Sequence, residues 1–241
     1  MAPANSPTRF GTVARSLHWL TALLILTAIP LGLYANSVPY VTSDALAAKA
    51  QMFSLHKTVG VAAFIVAVVR IVWALTQSRP APLHPERQVE VAVADLVHWM
   101  LYISLLAVPL SGWVHHAATT RFAPILWPFG QNLPLVQKIP SVEHIAATAH
   151  GLFTKLLIAS ILLHIAGALK HHLIDRDATL QRMVSGGVAP DIPKAAHHGI
   201  APMLAALAIY AAGAGLAIAL TGPNRPPLKP PPPRQPPALG R

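Results

Sequence analysis

The sequence predicts an all-α integral membrane protein, a four-helix transmembrane bundle with a fifth transmembrane helix towards the C-terminus. Three observations carry that expectation. The 241-residue chain is 54% hydrophobic and 11% charged, whereas soluble domains carry about 25% charged residues. It contains five apolar runs, each about 20 residues long, enough to cross a hydrocarbon core of about 30 Å. Its basic residues lie mainly in the connections between those runs and in one tail. With no basic stripe interleaved with aromatics, the net charge of +10 reads as topology-setting charge and contact with anionic lipid headgroups, not as nucleic-acid binding.

The chain has no cysteine. Disulfides, iron–sulfur clusters, thiolate-held haem, C-x-x-C-H haem attachment and cysteine zinc sites are excluded. Thirteen histidines remain, so a metal must be held by imidazole or by the few carboxylates.

Residues 1–15 are polar and carry Arg9 and Arg15. Residues 16–34, SLHWLTALLILTAIPLGLY, form the first span, with Pro30 near its far end. The run resembles a signal peptide in length, but Leu33-Tyr34-Ala35 is a poor small-x-small cleavage site and His18 is out of place in a secretory apolar region. A short loop with Asp44 and Lys49 leads to the second span, 52–75, with His56 near its start and Arg70 near its end. The Pro-rich connection 79–85 ends that helix, because proline supplies no backbone donor. The third span covers 93–114, with His98 early and Pro109 late. A loop of about thirty residues, 115–143, follows and contains Trp127-Pro128-Phe129-Gly130; so long a loop is usually functional or a lid, and its aromatics suit the interface. The fourth span is 146–172, AATAHGLFTKLLIASILLHIAGALKHH. After the polar stretch 173–198, residues 199–221 are long enough for a fifth span. Gly213 and Gly215 among its alanines permit close packing on a neighbour. The Pro-rich, basic tail 222–241 suits extended polyproline II and not a folded domain.

Lysine and arginine counts set the orientation. With the N-terminus inside, the inner segments hold Arg9, Arg15, Arg79, Arg87, Lys170, Arg176, Arg182 and Lys194, and the outer loops hold Lys49, Arg121 and Lys138. Eight against three supports a cytoplasmic N-terminus. The tail disagrees, since five spans leave Arg225, Lys229, Arg234 and Arg241 outside. Either the tail is translocated despite its charge or the fifth stretch does not fully cross; full crossing is the reading taken, because late charges count less than those around the first four helices.

This topology gives each intramembrane histidine a depth. His150 and His164 are fourteen residues apart in one helix, within about 40° of one face and about 21 Å apart along the axis. His150 is then outer and His164 inner; His56 is outer and His18 inner. The pairs that share a depth are His18 with His164 and His56 with His150. Two imidazoles at one depth on facing helices are what axial ligation of a b-type haem requires, and two such pairs suggest two stacked sites. A lone membrane histidine is more often a polar helix contact or a proton relay, and that alternative stands beside the first. Gly60, Gly151 and Gly167, close to these histidines, leave room for a macrocycle.

The same residues carry a family resemblance. S-L-H-W-L at 16–20, L-H-K-T-V-G at 55–60 and V-V-R at 68–70 resemble the first two helices of the bacterial cytochrome b561 family. D-L-V-H-W-M-L-Y-I-S-L-L-A-V-P-L-S-G-W at 95–113 resembles its third helix. H-G at 150–151, L-H-I-A-G-A-L-K-H-H at 163–172 and R-D-A-T-L-Q-R-M at 176–183 resemble its fourth helix and exit. The resemblance covers about residues 8–185. It implies a cytochrome b561-like di-haem domain over 1–185, with a linker at 186–198, the fifth helix at 199–221 and the tail at 222–241. It implies two non-covalent haems b, with His18, His56, His150 and His164 as iron ligands, in the bacterial inner membrane. It further implies electron transfer between the quinone pool and a one-electron partner on the outer side. One branch of the family resembles a superoxide oxidase, in which superoxide reduces the outer haem and quinone is the acceptor, so a superoxide:quinone oxidoreductase is the enzyme expected. The alternative is a haem-bearing membrane anchor for a dehydrogenase, hydrogenase or periplasmic redox partner. Quinol oxidation feeding a soluble periplasmic protein is a third reading. The fifth span and the tail depart from the four-helix pattern, and the tail suits a partner or the envelope.

Secondary residues have weaker assignments. Arg70 lies near the inner surface and pairs with an inner haem propionate or snorkels to headgroups. Lys57, Lys155, Arg121 and Lys138 make an electropositive outer approach or are ordinary interfacial cations. His98 reads as a propionate or quinone hydrogen-bonding group. His115, His116 and His144 lie at the outer surface, as lining of a quinone or proton path or as interfacial groups. His171, His172, His197 and His198 lie at the inner surface, without an evident third metal ligand.

Overall fold

The structure is a computed structural model and describes residues 2–119, 122–127, 131–188 and 199–221. Its helices are α1 (Thr12–Ser37), α2 (Ser43–Leu75), α3 (Gln88–Ala118), α4 (Pro140–Lys170), α5 (Thr179–Val184) and α6 (Ala201–Thr221), with a π-helical turn, His171–Asp175, continuing α4. Among the described residues there is no β-strand. All but α5 are long and apolar enough to cross a membrane. Leucines on the outer surface, such as Leu23, Leu26 and Leu162, are more than half exposed, as suits side chains whose solvent is lipid.

Two antiparallel hairpins, α1 with α2 and α3 with α4, meet through α2 and α3. Small residues occupy the tightest positions: Ala35, Ala67 and Ser104 are fully buried and Ser160 is almost so. Without a hydrophobic drive between helices in lipid, close packing of small side chains supplies the contact. Hydroxyls inside the spans satisfy themselves on the preceding turn, as Thr21 Oγ1 does on Leu17 O (2.6 Å) and Thr58 Oγ1 on Ser54 O (2.7 Å).

The bundle has a proximal end, where α1 begins, α2 ends, α3 begins and α4 ends, and a distal end opposite. The proximal end is tied by charges. Lys170 Nζ lies 2.5 Å from Glu90 Oε1 and 2.9 Å from Asp175 Oδ2, and Arg87 Nη1 lies 3.1 Å from Asp175 Oδ1. His171 Nδ1 is 2.7 Å from Asp177 Oδ2, and His84 Nε2 is 3.3 Å from the same oxygen. Burial pushes the Asp177 carboxyl up, but hydrogen bonds from Thr179 and the contact with His171 outweigh it and hold the group below the usual carboxylate range. Arg182, 5% exposed, donates to Ala81 O at 2.8 Å and lies over the Phe10 ring. This clamps α5 onto the N-terminal segment and the α2–α3 connection.

Helix limits differ from the sequence expectation at the distal end. α2 starts at Ser43, not residue 52, because the Thr42 hydroxyl accepts from Ala45 N (3.2 Å) and Asp44 sits in the first turn, where the helix dipole favours an anion. α3 runs on to Ala118 and α4 starts at Pro140, where proline's missing donor costs nothing. The α3–α4 connection is therefore 119–139, and His115 and His116 are helical.

α6 lies against α3 and α4. The Tyr210 ring is 5.3 Å from that of Phe153, its hydroxyl pairs with Ser104 Oγ, and it reaches Met100 O at 3.4 Å. A Cβ on Gly213 would sit 3.3 Å from Phe153 Cε1, so the helices touch there through a missing side chain. Ala217 shares a buried cluster with Ala149 and Phe153, which places the C-terminal end of α6 at the distal end. The tail at 222–241 lies outside the described residues.

Tyr210→Phe removes the buried hydroxyl pair. It is expected to weaken the attachment of α6 by about 1 kcal/mol, read as a lower unfolding midpoint in detergent; an unchanged midpoint would show that the pair contributes nothing.

Candidate cofactor sites in the bundle

Two histidine pairs face each other inside the bundle, one near each end. At the distal end His56 of α2 meets His150 of α4 with ring centres 6.1 Å apart. At the proximal end His18 of α1 meets His164 of α4, also at 6.1 Å. An iron lies about 2 Å from each imidazole nitrogen, and that nitrogen about 1.1 Å from its ring centre, so two axial imidazoles on one iron have centres about 6.2 Å apart. Both pairs fit that spacing.

The distal pair is held by two matching cradles. His56 Nδ1 is 2.8 Å from Ala28 O of α1, and His150 Nδ1 is 2.9 Å from Val108 O of α3. An Nδ1–H donated to a carbonyl leaves Nε2 as the free lone pair, the tautomer that a metal ligand needs. Four residues beyond each carbonyl, on the same helix face, stands a glycine. A Cβ on Gly32 would lie 2.7 Å from His56 Cε1 and 2.8 Å from Nδ1, and one on Gly112 would lie 3.0 Å from both atoms of His150. Only glycine lets each ring lie this close to the facing helix. Gly60, Gly151 and Gly167 have nothing within 4 Å of where a Cβ would be; they adjoin open space and cradle no ring.

The proximal pair has different neighbours. Arg70 Nη2 lies 3.2 Å from His18 Nδ1, and its guanidinium lies over the Tyr102 ring at 5.6 Å. The described residues offer Arg70 no ion pair with a carboxylate. A guanidinium within a membrane bundle calls for an anion, and a haem propionate is one. His98 stands 5.3 Å from His164, ring centre to ring centre, closer than two ligands of one iron.

At the distal surface the α3–α4 connection is latched to α2 just beyond His56. Lys57 Nζ donates to Phe122 O and Ala123 O, both at 2.8 Å, and lies 3.1 Å from His116 Nδ1. Leu126 N donates to Thr58 Oγ1 at 2.8 Å. Gln131 braces the loop, donating to Ile125 O at 2.6 Å and accepting from Ile125 N at 3.1 Å. Lys57 is therefore a loop anchor, not an open cation, and His116, 2% exposed, is part of the latch. His115 contacts Glu143 O at 3.3 Å. Lys138, His144 and Lys155 are exposed. Arg121 and residues 128–130 lie outside the described residues, as do Lys194, His197 and His198.

At the proximal surface His171 joins Glu90 and Asp175, their ligand atoms within 4.8 Å of one another, while His172 is exposed. Lys170 lies between the two carboxylates and, with Arg87, balances their charge. Sequence reasoning missed this cluster and both cradles. Pro30-Leu31-Gly32 and Pro109-Leu110-Ser111-Gly112, proline and glycine repeated within two spans, were the available signal.

The sequence profile of the prokaryotic cytochrome b561 family matches residues 9–186. The chain is 29% identical over 184 residues to cytochrome b561 homolog 2 of Escherichia coli K12, an alignment spanning 76% of this chain and 95% of that protein. It is 28% identical over 178 residues to cytochrome b561 homolog 1 of the same organism, spanning 73% and 97%. It is 24% identical over 178 residues to a Yersinia pestis protein named probable superoxide oxidase CybB, spanning 73% and 96%. The chain belongs to the prokaryotic cytochrome b561 family: it is a multi-pass bacterial membrane b-type cytochrome that binds haem b and serves electron transfer. α6 and the tail lie beyond the residues that the family profile matches.

Gly32→Ala or Gly112→Ala places a methyl against a distal imidazole. Each is expected to lower the haem bound per chain, as His56→Ala is, with the backbone fold retained; haem content per chain, measured with circular dichroism, checks this.

Proposed function

We propose that the chain is a di-haem cytochrome that takes electrons one at a time from superoxide at its distal face and passes them to membrane quinone. The observation that supports it best is the pair of imidazole couples with the same 6.1 Å spacing near opposite ends of one bundle. In this reading His56 and His150 hold one haem, and His18 and His164 hold the other. Arg70 binds a propionate of the second. Bound haem supplies reversible one-electron chemistry, while the protein holds imidazole tautomers, pairs charge and limits access.

The proximal end faces the cytoplasm and the distal end the periplasm, an assignment supported by the excess of lysine and arginine in the proximal connections. α6 then crosses fully, and the Pro-rich tail starts outside. Superoxide as donor is supported by the name of the Yersinia pestis relative and by exposed Lys138 at the distal end, which draws an anion through its field. The balance is simple. Two superoxide anions lose one electron each and become dioxygen, and one quinone gains two electrons and two protons and becomes quinol. His98, beside His164, suits a hydrogen bond to a propionate or to quinone.

A second reading keeps the haems but makes the chain a membrane anchor for a redox partner. It is favoured by α6, whose C-terminal end lies at the distal end and is followed in sequence by a basic, Pro-rich stretch suited to docking.

The readings separate by kinetics. Rapid mixing with superoxide is expected to reduce the haem within the mixing experiment, and added quinone to reoxidise it, with the first step slowing as ionic strength rises. Haem that superoxide does not reduce would favour the anchor. His164→Ala is expected to lose the proximal haem and spare most of the distal one; equal loss of both would contradict the pairing.

A further inference from the structure

We infer that Arg70 raises the reduction potential of the proximal haem above that of the distal haem, so that electrons entering at the distal end run downhill to the proximal one. This inference rests on the two-haem reading above and adds an order to the two sites.

The two imidazole couples have the same spacing, 6.1 Å, but opposite surroundings. At the distal couple both Nδ1 atoms meet backbone carbonyls, Ala28 O and Val108 O. Donating Nδ1–H to an oxygen makes the ring a more electron-rich ligand. Such ligands favour ferric iron and lower the potential. The nearest cation, Lys57, gives its hydrogen bonds to Phe122 O and Ala123 O of the α3–α4 connection.

At the proximal couple the neighbour is a cation. Arg70 Nη2 lies 3.2 Å from His18 Nδ1. The guanidinium also stands as a fixed positive charge with no carboxylate paired to it among the described residues. In a low-dielectric bundle such a charge favours the ferrous state, which carries one positive charge fewer. If a propionate pairs with Arg70, the direction is unchanged, because removing the arginine would then leave the propionate's negative charge beside the iron. The other charged and titratable groups around this couple are His98 and Asp95 on α3, Tyr102 beneath Arg70, and Arg79, which lies over the Trp99 ring; none of them is hydrogen-bonded to His18. Arg70 thus differs from Lys57 in contact and placement: it reaches a ring of its couple, whereas Lys57 is held on loop carbonyls.

The test is a redox titration of the full-length chain in lipid nanodiscs, followed by b-type absorbance. Two one-electron waves are expected. In His164→Ala the surviving wave should be the lower one. In Arg70→Gln, which keeps a donor and removes the charge, the upper wave should fall by at least about 59 mV, a tenfold change in the electron's distribution between the haems, while the lower wave stays in place. Arg70→Lys should retain most of the gap. A surviving upper wave in His164→Ala overturns the inference, as does an Arg70→Gln chain with both haems and an unchanged gap. If the Gln variant fails to hold the proximal haem, Arg70→Lys decides, and loss of the gap there overturns the assignment. A chain with no b-type wave at all overturns the two-haem reading, and the ordering with it.

Discussion

Hydrocarbon offers a polar group nothing to bond to, so every imidazole and guanidinium inside the bundle must find its partner within the protein or its cofactor. The arrangement of α1 to α4 follows from that constraint. His56 and His150 each give one ring nitrogen to a carbonyl of the other helix of their hairpin. What they leave over is one unshared Nε2 each, pointing the chemistry towards a metal. His18 is met by Arg70, and Arg70 by nothing acidic among the described residues. The proximal site is therefore one cation in excess, which a haem propionate would balance on the di-haem reading. On that reading the protein supplies ligands and a counter-charge, and the cofactor supplies the redox chemistry.

The cradles explain why the two hairpins have similar parts. A carbonyl that already accepts within its helix has a second lone pair, but a ring reaches it only where the helix surface is bare. Gly32 stands four residues after Ala28, and Gly112 four after Val108. Pro30 and Pro109 lie within each of those turns and remove a donor there. Each helix thus gives up side-chain packing at one turn to seat an imidazole from its partner.

Much of this was legible in the sequence, for a reason that is geometric. A helix rises about 1.5 Å per residue, so counting from the membrane surface gives depth, and depth alone matched His18 with His164 and His56 with His150. The five spans were legible from apolar length. The cradles were not, because which helix faces His56 is a tertiary fact, and glycine is common in membrane helices for other reasons. Lys57 was read as an open cation because its sequence neighbours do not reveal the path of the loop whose carbonyls it binds. The proximal cluster of Glu90, Lys170, His171 and Asp175 was hidden for the same reason: its members come from the two ends of the α3–α4 hairpin. α6 is the element the family pattern does not account for. It is placed by particular contacts, Tyr210 on Ser104 and Gly213 on Phe153, and by the small side chains that make them possible.

On the di-haem reading each end of the bundle holds one iron between two imidazoles. Electron paramagnetic resonance of the oxidised chain at low temperature, with haem quantified on the same sample, tests it most directly. The account expects two haems b per chain and two distinct low-spin ferric signals, one from each couple. One haem per chain, or a high-spin signal from iron with an open axial position, would contradict it.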